Sequence, residues 1–432
     1  MTSELLNHQL RARRLALSVM VIAVTYQAVL CLIHTQLFPV SRAMVGMAEV
    51  LLLLACIPML LPRLIPQVVI FMALSGALLC LLALLSGHLD VKVFRDLLII
   101  LWFYWLGRNL GDTALADQGL RIVAVMLVAF GLLELLALDT FTDLFNIFGY
   151  YVSIGSLEPV TEYVRDSRLQ MNGIRPDGIG RTLLPGLLDN HRVSSLFLEP
   201  VSLGNFATIL AAWGLSKERA ELGSMLFFLG AAMLLIVLAD SRFALISVSL
   251  LVAMRVLLRG GWMYLVVLLP VVILLALVLT ALYANIPYSD SYAGRLMISG
   301  LSLVNFSVPA LLGFDSQAAF PDQGYAYVLS GFGLVLAVAL WLALWLVPVA
   351  DSQGHRFRCY VAVYVCLILA VSGTSLFAFK TAAVLWLLLG VVVRKPASVP
   401  AMEKAGNRRV SAVPDDRNLH PSGFSGTGKV PV

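Results

Sequence analysis

The feature that most constrains this chain is a recurrence of long apolar runs, at about 15–35, 43–61, 66–86, 94–107, 120–138, 194–214, 222–239, 243–258, 263–284, 325–348, 359–377 and 381–393. A bilayer-crossing helix uses about 20 apolar residues, because lipid satisfies no backbone polar group and each segment must bond internally. The runs therefore predict an all-α, polytopic integral membrane protein with about 12 transmembrane helices. The fourth run is short and begins beside Arg95 and Asp96, and Lys380 alone divides the last two. Of 432 residues, 60% are hydrophobic and only 13% charged, about half the charge of an average soluble domain. A soluble enzyme, a nucleic-acid-binding protein and a disordered scaffold are excluded on that ground.

The formal charge of +5 reads as lysine and arginine retained on one membrane side. With the amino terminus inside, the short inner segments hold fourteen basic residues, Arg11, Arg13 and Arg14 among them. The short outer ones hold six: Arg42, Lys92, Arg95, Arg242, Arg295 and Lys380. Both termini are therefore expected in the cytoplasm. The first run is long and no small-residue cleavage motif follows it, so a retained first helix is expected. Cys31, Cys56, Cys80, Cys359 and Cys366 lie in or beside apolar runs without metal-ligand spacing and read as small buried side chains.

Two connections on the outer side are enlarged, 139–193 and 285–324. The first carries Phe141, Phe145, Phe148, Tyr150 and Tyr151 ahead of a charged centre from Glu162 to Arg181, and its start is expected to lie along the membrane interface. Residues 1–393 form the helical membrane domain. After Lys395 the Pro-, Gly- and Ser-rich tail, 394–432, reads as a disordered cytoplasmic extension. No internal repeat is evident, which disfavours transporters built on inverted repeats.

Charges that persist at membrane depth ask for a role. Glu49 and Glu134 each stand alone in a run, and a hydrogen bond inside the bundle is the expectation for both. ADSRFA puts Asp240, Ser241 and Arg242 in a tight outer turn; Arg242 then points between the helices, unless an Asp240–Arg242 pair closes the turn. DNHRVSSLFLEPVSLGNF, residues 189–206, puts His191 and Arg192 at the outer mouth of the sixth helix. Glu199 follows one to two turns inside, where Pro200 breaks the helix. Such a carboxylate binds a sugar hydroxyl, acts as a base, or merely satisfies freed backbone. The second loop offers Tyr288, Asp290, Tyr292, Arg295, Asp315 and Asp322. Arg192, Arg242 and Arg295 are three guanidinium groups on one membrane side, a set suited to an anionic ligand such as a lipid-linked pyrophosphate. No glycine loop or paired-aspartate motif calls for a nucleotide sugar or a bound metal.

The hairpin DSRFALISV, the GR of SYAGRLM, the two enlarged loops and the many spans resemble the O-antigen ligase and Wzy polymerase superfamily. RVSSLFLEPVSLGNFA is similar to its exopolysaccharide-polymerase branch. The resemblance covers about 120–350 at motif level. It implies a GT-C-like architecture and metal-independent glycosyl transfer without a cofactor at the periplasmic face of the bacterial inner membrane. There, undecaprenyl-pyrophosphate-linked oligosaccharide repeats would be joined into a xanthan-like exopolysaccharide, with a flippase and a chain-length regulator as partners. Arg192, Arg242 and Arg295 would bind pyrophosphate, and Glu199, Asp322 and His191 are the candidates for the base. The ligase branch carries a histidine in the loop before the tenth helix; here 285–324 has none, and Asp322 of FPDQGYAYVLSGFG stands at about that place. The competing readings are a lipid-linked oligosaccharide flippase, a ligase of the same superfamily, and a noncatalytic assembly component.

Overall fold

The computed structural model describes residues 3–158, 168–175, 180–188, 190–258, 260–284, 286, 291–315, 320, 323–372 and 374–393. The tail 394–432 lies outside them, as do Asp322, Tyr288 and Asp290. Helices α1 (Ser3–Gln36), α2 (Arg42–Leu60), α3 (Pro66–Ser86), α4 (Val91–Leu110) and α5 (Thr113–Leu136) follow one another through short turns. The first long connection holds α6 (Leu138–Leu144), α7 (Ile147–Ser153) and α8 (Pro185–Leu188). Then come α9 (Pro200–Ser216), α10 (Leu222–Ala239), α11 (Arg242–Leu257) and α12 (Leu269–Tyr283). The second long connection carries α13 (Tyr292–Val304) and α14 (Val308–Leu311). The series closes with α15 (Gly324–Leu346), α16 (Ser352–Val371), α17 (Thr374–Phe377) and α18 (Phe379–Val391). Among the described residues no strand forms, only isolated bridges pairing Ile174 with His191 and Val349 with Val393.

Among the described residues, eight helical segments are long and apolar enough to cross a membrane: those containing α1, α2, α3, α5, α10, α12, α15 and α16. The chain is thus an α-helical, multi-pass membrane protein. The other four apolar runs are helical too, as α4, α9, α11 and α18, but each is shorter or more charged. For α9 and α18 the surroundings explain why. All of α9 except Val201 is buried, and all of α18 except Trp386. Only 11% of the apolar window of Trp262–Tyr283 is covered, against 83% of that of Ser352–Val371. A helix enclosed by other helices need not match the bilayer in length or polarity; the outer helices meet that requirement for it. The outer ones accordingly expose leucine and valine, as at Leu74, Leu84 and Val271.

The tightest junction in this interior joins α4 to α18. A side chain at Gly107 would strike the Leu387 carbonyl, and one at Gly390 the Tyr104 carbonyl and the Arg108 amide. Small residues let membrane helices meet backbone to backbone, where packing replaces the missing hydrophobic drive. Because the obstacle is main chain, Gly390→Leu should force the helices apart and cost about 1–3 kcal/mol or more of overpacking. A lowered thermal midpoint in detergent checks this; an unchanged midpoint contradicts the close approach.

Contacts sort the helix ends into two groups. At one end, Arg13 pairs with Asp112 at 3.4 Å, Lys217 with Asp117 at 2.8 Å, and Arg356 donates to the Ser216 carbonyl at 2.9 Å. Val349 bridges to Val393 there, so both described termini share this end. At the other end, Gln36 donates to the Asp143 carbonyl and Ser153 to the Val40 carbonyl, binding the first long connection over α1 and α2.

Two expectations change on this evidence. The aromatics of 139–154 were expected along the lipid interface, yet Phe141, Phe145, Phe148 and Tyr150 are buried within the protein. They are large enough to fill the space that α6 and α7 close over α1 and α5. The fourth helix is also longer than its apolar run, 20 residues, because Asp90 caps it by accepting from the Lys92 and Val93 amides. Of the cysteines, Cys31, Cys56, Cys359 and Cys366 are buried as expected, whereas Cys80 is exposed on α3.

Candidate functional site

The loop-bearing end is organised around the turn between α10 and α11. Asp240 takes a left-handed conformation (φ 46°, ψ 47°) as the C-cap just beyond α10, and the Ser241 hydroxyl caps α11 by accepting from the Ala244 amide. Two residues therefore reverse the chain. The reversal leaves the last α10 carbonyls without helical partners, and cations near a helix C-terminus are favoured. Arginines from the preceding connection fill that role. Arg192, only 7% exposed, donates to the Ala239 carbonyl and to the Asn172 carbonyl, each at 3.0 Å. Arg181 donates to the carbonyls of Val237 and His191, and burial pulls its guanidinium below the ordinary arginine range.

Asp240 itself is fully buried and held by donors on both oxygens. Arg175 Nε lies 2.8 Å from Oδ2, and the amides of Thr182 and Leu183 lie 3.0 and 2.9 Å from Oδ1. The Asp240–Arg242 closure is not what forms. The partner is Arg175, and Arg242 is half-buried with Nε on the Thr182 hydroxyl. Gly204 of α9 lies directly against Ser241, so the turn rests on the first turns of α9.

Beside the turn, Glu134 of α5 is fully buried and accepts from the Ser194 amide at 2.9 Å and the Ser195 amide at 2.6 Å. His191 Nε2 lies 3.1 Å from the same carboxylate. The hydrogen-bonded role expected of Glu134 is found, and so is that of Glu49, which accepts from the Tyr26 hydroxyl at 2.8 Å. Glu134 thereby fixes an irregular stretch in which Ser195 (φ 50°) and Leu198 (φ 57°) are both left-handed. For residues with a side chain each such conformation costs about 1–2 kcal/mol, and such strain gathers at functional sites.

Glu199 ends that stretch. The expected sixth helix, 194–214, with Glu199 inside it, is corrected here: α9 begins at Pro200, and Glu199 is its extended N-cap (φ −152°, ψ 121°). Proline needs no amide partner at the first helical position and drives the residue before it out of the helical region. The Glu199 carboxylate accepts from the Ser202 hydroxyl at 2.6 Å and keeps 30% of its side chain exposed. Lys380 Nζ lies 4.0 Å from it, donating to the Phe197 carbonyl at 2.6 Å and to Gln27 at 2.9 Å. Lys380 is 3% exposed. Tyr151 of α7 borders this pair. Burial, and then the Glu199 charge, pushes its hydroxyl well above the ordinary tyrosine range.

Of the six residues singled out from the sequence, the structure brings Arg192 and Arg242 to one turn, with His191 and Glu199 in the segment beside it. Arg295 lies half-buried on α13, whose main neighbours are α12, α15 and α16 rather than the turn. Asp322 lies outside the described residues. The reading from sequence missed Arg175, Arg181 and Lys380. For Lys380 a signal existed, a single cation at the head of an apolar helix; for Arg175 and Arg181 there was only their place in a charged loop centre.

A second polar group lies at the same end. Tyr327 donates to Asp96 at 2.6 Å, Arg95 binds Asp96 at 2.8 Å and approaches Glu49 at 3.6 Å, and Lys92 lies 3.6 Å from Asp96. This network ties α1, α2, α4 and α15 together and explains how α4 carries charges. Among the described residues no group of three or more His, Cys, Asp or Glu is arranged to hold a metal ion. No protein-family model matches the chain, and no curated protein or solved structure matches it either.

Proposed function

We propose that the chain is a Wzy-type glycosyltransferase that joins undecaprenyl-pyrophosphate-linked oligosaccharides into a xanthan-like exopolysaccharide. In this reading about twelve helices cross the bacterial inner membrane. The basic end with the termini faces the cytoplasm, and the loop-bearing end faces the periplasm. The observation that carries the reading is the part-exposed Glu199 at the broken mouth of α9, with Lys380 behind it and the arginine-bound turn beside it.

The chemistry follows from those positions. An acceptor hydroxyl attacks the donor's anomeric carbon, a new C–O bond forms, and Glu199 takes the hydroxyl proton. The bond from that carbon to the pyrophosphate oxygen breaks, and the pyrophosphate leaves with the electron pair. In this reading Arg242, half-buried with Nε on the Thr182 hydroxyl, meets the leaving charge with its planar fork, and Arg295 is the third guanidinium of the set. Arg192 acts as a positioning residue, since it ties the Ala239 carbonyl, at the turn that presents Arg242, to the Asn172 carbonyl of the connection. Lys380 positions Glu199 by anchoring the Phe197 carbonyl. His191 and Asp322 are the other candidates for the base.

Arg242→Lys preserves the charge and loses the bidentate geometry. Polymer yield from purified lipid-linked repeats should fall by about tenfold or more, as expected for losing a charged hydrogen bond of roughly 1.5–3 kcal/mol, while the protein still inserts. Normal polymer length and yield would count against the role. The same assay separates enzyme from flippase: lipid movement across the bilayer without new glycosidic bonds would establish transport instead.

A further inference from the structure

A crevice of about 310 Å³ runs between α3, α4, α15, α16 and α18, and the proposed reaction makes no use of it. Its walls are apolar along most of their length, with Val68, Phe71, Leu101, Val328, Leu340 and Leu344 among them. From Val328 to Val347 along α15 the lining extends on the order of 25 Å at the helical rise. That is comparable with one leaflet and more, and far too apolar for a water-soluble ligand.

The end of the crevice nearest the termini is different. Gln67, Tyr104, Arg108 and Trp386 line it there. The Tyr104 hydroxyl, Arg108 Nε and Trp386 Nε1 are all buried without a hydrogen-bond partner. Among the described residues Arg108 makes no ion pair. A guanidinium lacking a counter-charge at the head of an apolar slot is costly, and so are polar hydrogens facing nothing. One ligand answers all of these features: a phosphate on Arg108 and the aromatic donors, with a hydrocarbon chain running along α15.

We propose that this crevice binds an anionic phospholipid of the bilayer leaflet on the termini side, with its phosphate on Arg108 and an acyl chain between α3, α4 and α15. Arginine takes phosphate through paired donors, and tyrosine and tryptophan favour the headgroup level. The position also selects the source of the phosphate. Arg108 is in the last turn of α4, near Asp112 and Arg13, at the opposite end from Glu199. A lipid headed there is not the glycan donor, so the site belongs to membrane phospholipid and stands or falls apart from the proposed reaction.

The experiment is native mass spectrometry of the full-length protein in detergent, titrated separately with phosphatidylglycerol, phosphatidylcholine and a polyprenyl phosphate. Retention of one phosphatidylglycerol in preference to both other lipids is expected. Arg108→Gln should weaken that retention by about tenfold or more, the worth of a charged hydrogen bond. Ala337→Phe, which fills the slot without touching the cation, should weaken it as well. Undiminished phosphatidylglycerol retention in either folded variant overturns the proposal, and so does equal retention of phosphatidylcholine or preference for the polyprenyl phosphate. Should Arg108→Gln not fold, Ala337→Phe and the lipid comparison decide alone.

Discussion

Glu199→Gln should reduce polymer formation from purified lipid-linked repeats by about 10²–10⁴-fold, the range typical of a lost general base. The substitution keeps shape and hydrogen bonding. The amide oxygen still accepts from Ser202, and Lys380 keeps its bonds to Phe197 and Gln27. The fold is therefore expected to survive, since the ion pair being removed is 4.0 Å long and one partner is part-exposed. The diagnostic pattern is a collapse of turnover with little change in the apparent affinity for the lipid-linked donor. Wild-type turnover in this variant would remove Glu199 as the base and leave Asp322 and His191. A parallel loss of protein from the membrane would instead mark Glu199 as structural.

Asp240→Ala should unfold the loop-bearing end without breaking the helical bundle. The substitution leaves Arg175 facing no carboxylate and two amides, of Thr182 and Leu183, facing no acceptor. Arg175 is only 13% exposed, so its charge gains little from water. Stranding one partner of a buried pair costs about 3–5 kcal/mol. The cost falls on the segment that Asp240 holds, within 168–193, because α10 and α11 bury their apolar faces independently of it. Limited proteolysis should therefore cut this segment in the variant and spare it in the wild type. Polymer formation should be lost too, since Arg242 and Glu199 both depend on the turn. Protease resistance equal to that of the wild type would show that the Asp240 cluster is dispensable.

The bundle was legible in the sequence because lipid enforces a strong rule: apolar runs of fixed length become helices. Each of the twelve runs contains a helix. Where boundaries moved, a local residue explains it: Pro200 starts α9 late, and Asp90 lets α4 start early. The site was harder to see because its logic lies in pairings across long separations. Nothing near Asp240 in the chain names Arg175, 65 residues earlier, as its partner. Nor can residue type tell an arginine that grips a ligand from one that caps a helix, as Arg192 does at the Ala239 carbonyl and Arg181 at that of Val237. Lys380 and Glu199 are separated by most of the second half of the chain, and only the packing of α18 against α1 and α9 joins them.

That packing has a consequence for biogenesis. The helix at the heart of the molecule, α18, is also the last described one to be synthesised, and it has just 13 residues with a lysine at its head. Such a segment would partition poorly into a bilayer by itself. The ribosome must therefore deliver it to a ring of earlier helices that is already waiting. Until it arrives, Glu199 lacks Lys380 and Gly107 of α4 lacks the backbone it packs against. Translation order makes this polar junction the final thing to be completed, so an unfinished chain should lack it and be easily recognised for disposal.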